Sequence, residues 1–148
     1  MSISARFFFT DSEKKSIVDT IKEAEKLTSG EIRVHLENTF KGDIFDNAVF
    51  IFEKLKMHKT KNRNAVLIYV AVKKREFAII GDAGINHIVG QNFWDDVKIL
   101  MTSYFIEGKY AEGISKAIIE IGKKLKTYFP YMNDDVNELP DDVSIGNN

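Results

Sequence analysis

Six oxygen-bearing side chains in this sequence are candidates for shared chemistry: Glu31, Asn64, Asp82, Asn86, Asp95 and Asp96. Carboxylate and amide oxygens together form the donor set of a hard cation, Ca2+ first and Mg2+ as the alternative. Zinc has little support. The chain has no cysteine, and His35, His58 and His87 stand alone, without an HExxH pattern or a pair at helical spacing. Four of the six candidates lie in or beside the stretch "GDAGINHIVGQNFWDD", where Gly81, Gly84 and Gly90 would let backbone carbonyls turn toward an ion. The same residues also suit ordinary loop chemistry, since Asp95 and Asp96 favour a helix N-terminus through its dipole.

Other chemistries fit less well. "GDAGINHIVG" has neither the terminal Gly-Lys-Ser/Thr of a phosphate loop nor GxGxxG. The tail "NDDVNELPDD" lacks the spacing and central glycine of an EF-hand. "KMHKTKNRN" and "KKR" are basic, but no aromatic platform is interleaved with their charge, so solvated loops are favoured over nucleic-acid contacts.

The elements that must position these residues follow from periodicity. Thr10 and Glu13 form a capping box for a helix that buries Ile17, Ile21, Ala24 and Leu27 and stops at Gly30. "EIRVHLE" alternates strictly, predicting a strand from Glu31 to Glu37 with one polar face near a sheet edge. Asp43 caps a second helix with Ile44, Ala48, Phe52 and Leu55 inward. "AVLIYVAV" is apolar on both faces, a central strand covered by helices, and "KKRE" returns the chain as a hairpin into "FAII". A helix is predicted from near Asn92, burying Phe93, Val97, Leu100, Met101 and Tyr104. After the break "EGKY", a last helix runs to about Tyr128. "ARFFFT" is either a short strand or an N-terminal anchor.

This order predicts an α/β/α sandwich around a small mixed sheet, with the first two strands parallel and the third antiparallel. The end of the third strand then shares a sheet edge with the starts of the other two. Asp82 is accordingly placed near Ser29, Gly30 and Glu31 and near Asn62 and Asn64, with Asp95 and Asp96 arriving from the same edge.

The chain has 148 residues and a net charge of −1, enough for one core-bearing domain and no general case for nucleic acid or an anionic membrane. Residues 1–129 are read as that domain. Residues 130–148 form an acidic tail, with Asp134, Asp135, Glu138, Asp141 and Asp142 and no Lys or Arg, and much of it is expected to be mobile. No signal peptide or membrane span is evident, so a cytoplasmic location is expected.

Several segments together resemble the TPM domain family: "SGEIRVHLE", "NAVLIYVAV", "REFAIIGDAGI", "FW" and Phe105 to Ile114, in the family's order. The resemblance covers most of residues 11–129 and looks like a small, soluble, stand-alone bacterial member. It implies a Rossmann-like α/β/α sandwich and divalent-cation binding, calcium in particular, in some members. It implies two functions: a cation-binding accessory protein with a protein partner, or a metal-dependent acid phosphatase acting on phosphomonoesters, as described for a thylakoid-lumen relative. The sequence departs from the family pattern Gly-Tyr-Gly-Leu-Glu at Gly81–Asn86. Asn86 takes the place of the glutamate, and Asp82 brings a carboxylate nearby.

Overall fold

The computed structural model describes residues 4–132 and 137–146. Helix α1 spans Asp11–Glu25, strand β1 Glu31–Glu37, α2 Ile44–Lys54, β2 Ala65–Ala71, β3 Glu76–Gly81, α3 Ala83–Asn86, α4 Asp95–Ile106, α5 Tyr110–Tyr128 and β4 Ser144–Ile145. The sheet has the order β3-β2-β1-β4. β1 and β2 are parallel with Glu31 opposite Ala65, and β3 returns antiparallel with Gly81 opposite Val66. This is the predicted sandwich.

The two faces of the sheet bury different helices. Ile32, Val34 and Leu36 of β1 and Val66, Ile68 and Val70 of β2 face α1, α4 and α5. Ala65, Leu67 and Tyr69 face the other way, onto Ala48, Ile51 and Phe52 of α2. β2 is covered on both sides, which is why its sequence shows no polar alternation. Gly122 brings α5 close to α1, since an added Cβ would stand 3.0 Å from the Ala24 Cβ.

Both halves of the capping box at α1 are present: the Thr10 side chain accepts from the Glu13 N–H, and the Glu13 carboxylate accepts from the Thr10 N–H. Thr10→Ala is expected to cost about 1 kcal/mol, read as a lower urea midpoint at unchanged slope.

Three features differ from expectation. α1 ends at Glu25, five residues before Gly30. The intervening turn is stitched to the end of α5, where Ser29 N–H donates to Phe129 O at 2.9 Å and Thr28 Oγ also reaches that carbonyl. Of the two readings of "ARFFFT", the structure has the anchor: "ARF" forms a single 3-10 turn with Ala5 buried. α4 begins at Asp95, not Asn92, and its buried residues are Val97, Met101 and Phe105. Between β3 and α4 the expected loop contains the short helix α3.

The tail is the main departure. β4 pairs in parallel with β1, Ser144 opposite His35 and Ile145 opposite Leu36. The tail residues described here thus cover the sheet edge that the sequence left open. The expectation of mobility for residues 133–136 and 147–148 lies outside the described residues.

Candidate functional site

The six predicted oxygen donors fall into three groups. Register explains the first separation. Asp82 follows β3 and Glu31 begins β1, and β2 runs between them. Two interstrand spacings put their backbones about 10 Å apart.

Asp82 is 6% exposed and its charge is already matched. Its Oδ2 accepts from Arg63 Nε at 2.7 Å, and its Oδ1 accepts from Arg63 Nη2 at 2.8 Å and from Ala83 N–H at 2.7 Å. The carboxylate therefore caps α3 and binds Arg63 in a fork. Asn86 donates from Nδ2 to Gly81 O at 3.0 Å. These groups line a cleft of about 530 Å³ that also reaches Phe45 and Val49 of α2, and Trp94 and Lys98.

The three glycines here do not serve as left-handed turns, since the positive-φ glycines are Gly42 and Gly108. Gly84 is needed for close approach, because its Cα lies against the Asn62 and Arg63 carbonyls. Gly81 lies against the Trp94 ring, and Gly90 faces open space.

Asp95 and Asp96 stand in the exposed first turn of α4. Asp96 Oδ1 accepts from Val97 N–H at 2.9 Å, and its Oδ2 pairs with Lys124 at 3.0 Å. Asn64 is buried. It donates from Nδ2 to Ser29 Oγ at 3.3 Å, while its Oδ1 has no hydrogen-bond partner among the described residues.

Glu31 belongs to a different group, one that sequence reasoning missed. The end of α1 brings Glu25 to the edge of β1, where its Oε2 accepts from Ile32 N–H at 2.9 Å. The tail brings Asp141 against Glu25, and the Glu138 N–H donates to Glu31 Oε1. Burial pushes the Glu25 carboxyl up to about 10, reinforced by its hydrogen bonds to Asp141 and Glu31 and by the charge of Glu31. Burial also raises Glu31, but the bond from Glu25 lowers it, so the proton stays on Glu25. Glu25 and Glu31 line a cleft of about 180 Å³ with Ser29, Gly30, Tyr131 and Asn137.

The polar face of β1 continues inward as Arg33, His35 and Glu37, all buried. Arg33 pairs with Asp142 at 3.1 Å. The His35 Nε2 lies 2.8 Å from Glu37 Oε2, and its Nδ1 lies 2.8 Å from Ser144 Oγ. A carboxylate only accepts, so Nε2 carries the proton and the Ser144 hydroxyl donates to Nδ1. Burial outweighs Glu37 and lowers the His35 pKa, which keeps the imidazole neutral at pH 7. The signal for this face was its composition: four ionisable residues of both signs on one strand, matched by an acidic tail.

Among the described residues, no group of three or more His, Asp or Glu side chains is already set to hold a metal ion. None of the helices in the described residues is long and apolar enough to cross a membrane.

The TPM domain pattern matches residues 5–124. The NMR structure of the BA42 protein from the psychrophilic bacterium Bizionia argentinensis is 48% identical, covers 94% of this chain and 96% of its own, and superposes with a TM-score of 0.90. Two more distant likenesses bear on the fold alone. An N-terminal domain from P. gingivalis is 14% identical, with coverages of 86% and 83% and a TM-score of 0.70. The N-terminal domain of cg2496 from Corynebacterium glutamicum is 12% identical, with coverages of 91% and 79% and a TM-score of 0.60. No curated protein matches the chain. Matched by that domain pattern over most of its length, the chain belongs to the TPM domain family.

Proposed function

We propose that this chain is a divalent-cation-binding accessory domain, with calcium the preferred ion and magnesium the alternative. The observation that carries this reading is the open cleft shared by Glu25 and Glu31, two carboxyls that avoid mutual repulsion only by keeping a proton. A hard dication offers the same pair more compensation than a proton does. Glu31 anchors the site, Asp141 adjoins it from the tail, and the unpaired Oδ1 of Asn64 offers a neutral oxygen close to Ser29. The ion would displace the proton and draw the two carboxylates around itself, which accords with the absence of a ready-made ligand set among the described residues. Asp82 and Asn86 belong to the second cleft. Asp95 and Asp96 would act through their charge alone.

Binding is favoured over phosphomonoesterase chemistry by the state of Asp82. Its oxygens already accept from Arg63 and Ala83, so the predicted carboxylate that lines the larger cleft is not a free base.

Calorimetric titration with CaCl2 and MgCl2 tests the proposal. Calcium is expected to bind with release of up to about one proton at pH 7 and to raise the melting temperature. At a hundredfold excess over Kd the added stability is about 2.7 kcal/mol. Glu31→Gln is expected to abolish the response and Asp82→Asn to preserve it. The absence of any response at millimolar calcium or magnesium would overturn the reading.

A further inference from the structure

The two edges of the sheet are treated differently. The β1 edge is covered by the chain's own tail through β4, whereas β3 has a strand partner on one side only. Asp82 N–H donates to Ala65 O across the β2–β3 ladder at 3.0 Å, which marks Asp82 and Ala65 as a hydrogen-bonded pair. By alternation the backbone groups of Ile80 and Ala78 also face β2. The N–H and C=O groups of Phe77 and Ile79 therefore face away from the sheet, and among the described residues they have no hydrogen-bond partner. At the far end Asn86 occupies Gly81 O, which marks where this open edge stops.

The open edge lies along the floor of a groove. The cleft of about 530 Å³ at its Gly81 end continues toward Phe77 as a second cleft of about 670 Å³. α2 forms one wall through Ile44, Phe45 and Val49, and α4 forms the other through Lys98 and Phe105. Ile79 and Ile80 are 3% and 8% exposed although they lie on an edge strand, so the walls rise well above the backbone. The usual obstacles to edge pairing are missing: from Phe77 to Gly81 there is no proline and no charged side chain, and the ladder with β2 runs without a bulge.

We propose that the β3 edge binds an extended peptide segment of a partner protein, which adds to the sheet as a fifth strand. Main-chain pairing to Phe77 and Ile79 would supply the register, and alternate apolar side chains would enter the two clefts. The occupant is one strand rather than a second copy of this domain, because helices stand on both sides of the edge and a second sheet would bring helices of its own. Lys98 lines both clefts and makes no ion pair among the described residues, so the segment carries an acidic residue opposite it. The surface lies across the sheet from Glu31 and stands whether or not a cation binds there.

A display library of random linear peptides of about ten residues, panned on the full chain, tests the proposal. Enriched peptides are expected to share alternating apolar positions and an acidic residue, and to shift the amide resonances of Phe77, Ile79 and Gly81. Their binding should protect the Phe77 and Ile79 amides from exchange. N-methylation of alternate peptide residues in one register should cut affinity at least about tenfold, and in the other register leave it nearly unchanged. Phe45→Arg, a change at an exposed wall position, should weaken binding, and Lys98→Glu should select a basic residue in place of the acidic one. The proposal is overturned if no peptide is enriched, if the two methylation registers bind alike, if the shifts fall elsewhere, or if the free protein dimerises through β3.

Discussion

Glu25→Gln is expected to stabilise the protein by about 2–3 kcal/mol at pH 7 and to flatten its loss of stability toward alkaline pH. The folded state holds a proton on Glu25 that the unfolded chain releases near its ordinary value of 4.5, while the folded value lies at about 10. Stability from this group is therefore full below pH 4.5 and is lost progressively as pH rises toward 10. At pH 7 a little under half of that fall has occurred, at about 1.4 kcal/mol per unit. Glutamine keeps the geometry of the protonated acid, with an oxygen to accept from Ile32 N–H and an amide to donate toward Asp141. It carries no proton to lose. Urea unfolding from pH 5 to pH 10 should show a falling midpoint in the parent chain and a much flatter one in the variant, with the smaller slope due to Glu31 remaining. Parallel curves would mean that the carboxyls are separated in solution. On the acid side the sign reverses: the lowered pKa of His35 means that stability is lost as pH falls below about 6.5. The same substitution also bears on the proposed ion site, since calcium binding by the variant should release no proton.

The parts of this fold that were legible in the sequence are those held by local rules. The Thr10–Glu13 box, the Asp43 cap and the doubly apolar β2 each announce themselves within a few residues. The β2–β3 hairpin could also be read from its short connection, and it carries a consequence that was within reach: it sets Asp82 beside Ala65 and hence beside Arg63. The acidic edge was not legible. β4 has two residues and lies in a segment whose composition resembles a solvated tail. Its stability comes from contacts over long sequence separations, such as Arg33 with Asp142 and His35 with Ser144. Strict alternation in β1 revealed two faces but not that both are buried, because a polar face against water and one against polar tail residues have the same period. Carboxylates that topology gathers at one end of a sheet can still belong to separate sites when a strand runs between them.

Gly84→Ala is expected to destabilise the protein by about 3 kcal/mol, the upper end for overpacking, and Gly90→Ala to cost nothing measurable. These glycines lie six residues apart in one connection. A Cβ at Gly84 would collide with the carbonyl oxygen of Asn62 and stand 2.6 Å from that of Arg63, and both are backbone atoms that cannot rotate away. Relief requires α3 to lift from the turn before β2. That movement would break the 2.8 Å bond from Gly84 N–H to Arg63 O and expose Ile85, which is 1% exposed. It would also strain the fork between Arg63 and Asp82, leaving a carboxylate that is now 6% exposed without its partner. A Cβ at Gly90 meets nothing within 4 Å, and its backbone is not left-handed. Denaturant unfolding of the two variants separates two accounts of this stretch. If the glycines serve to turn carbonyls toward an ion, both substitutions should weaken the calcium response and neither need cost much stability. If Gly84 serves close packing, it alone is costly, and the calcium response at Glu31 survives in Gly90→Ala. A cost below about 1 kcal/mol for Gly84→Ala would refute the packing of α3 against the Asn62–Arg63 turn.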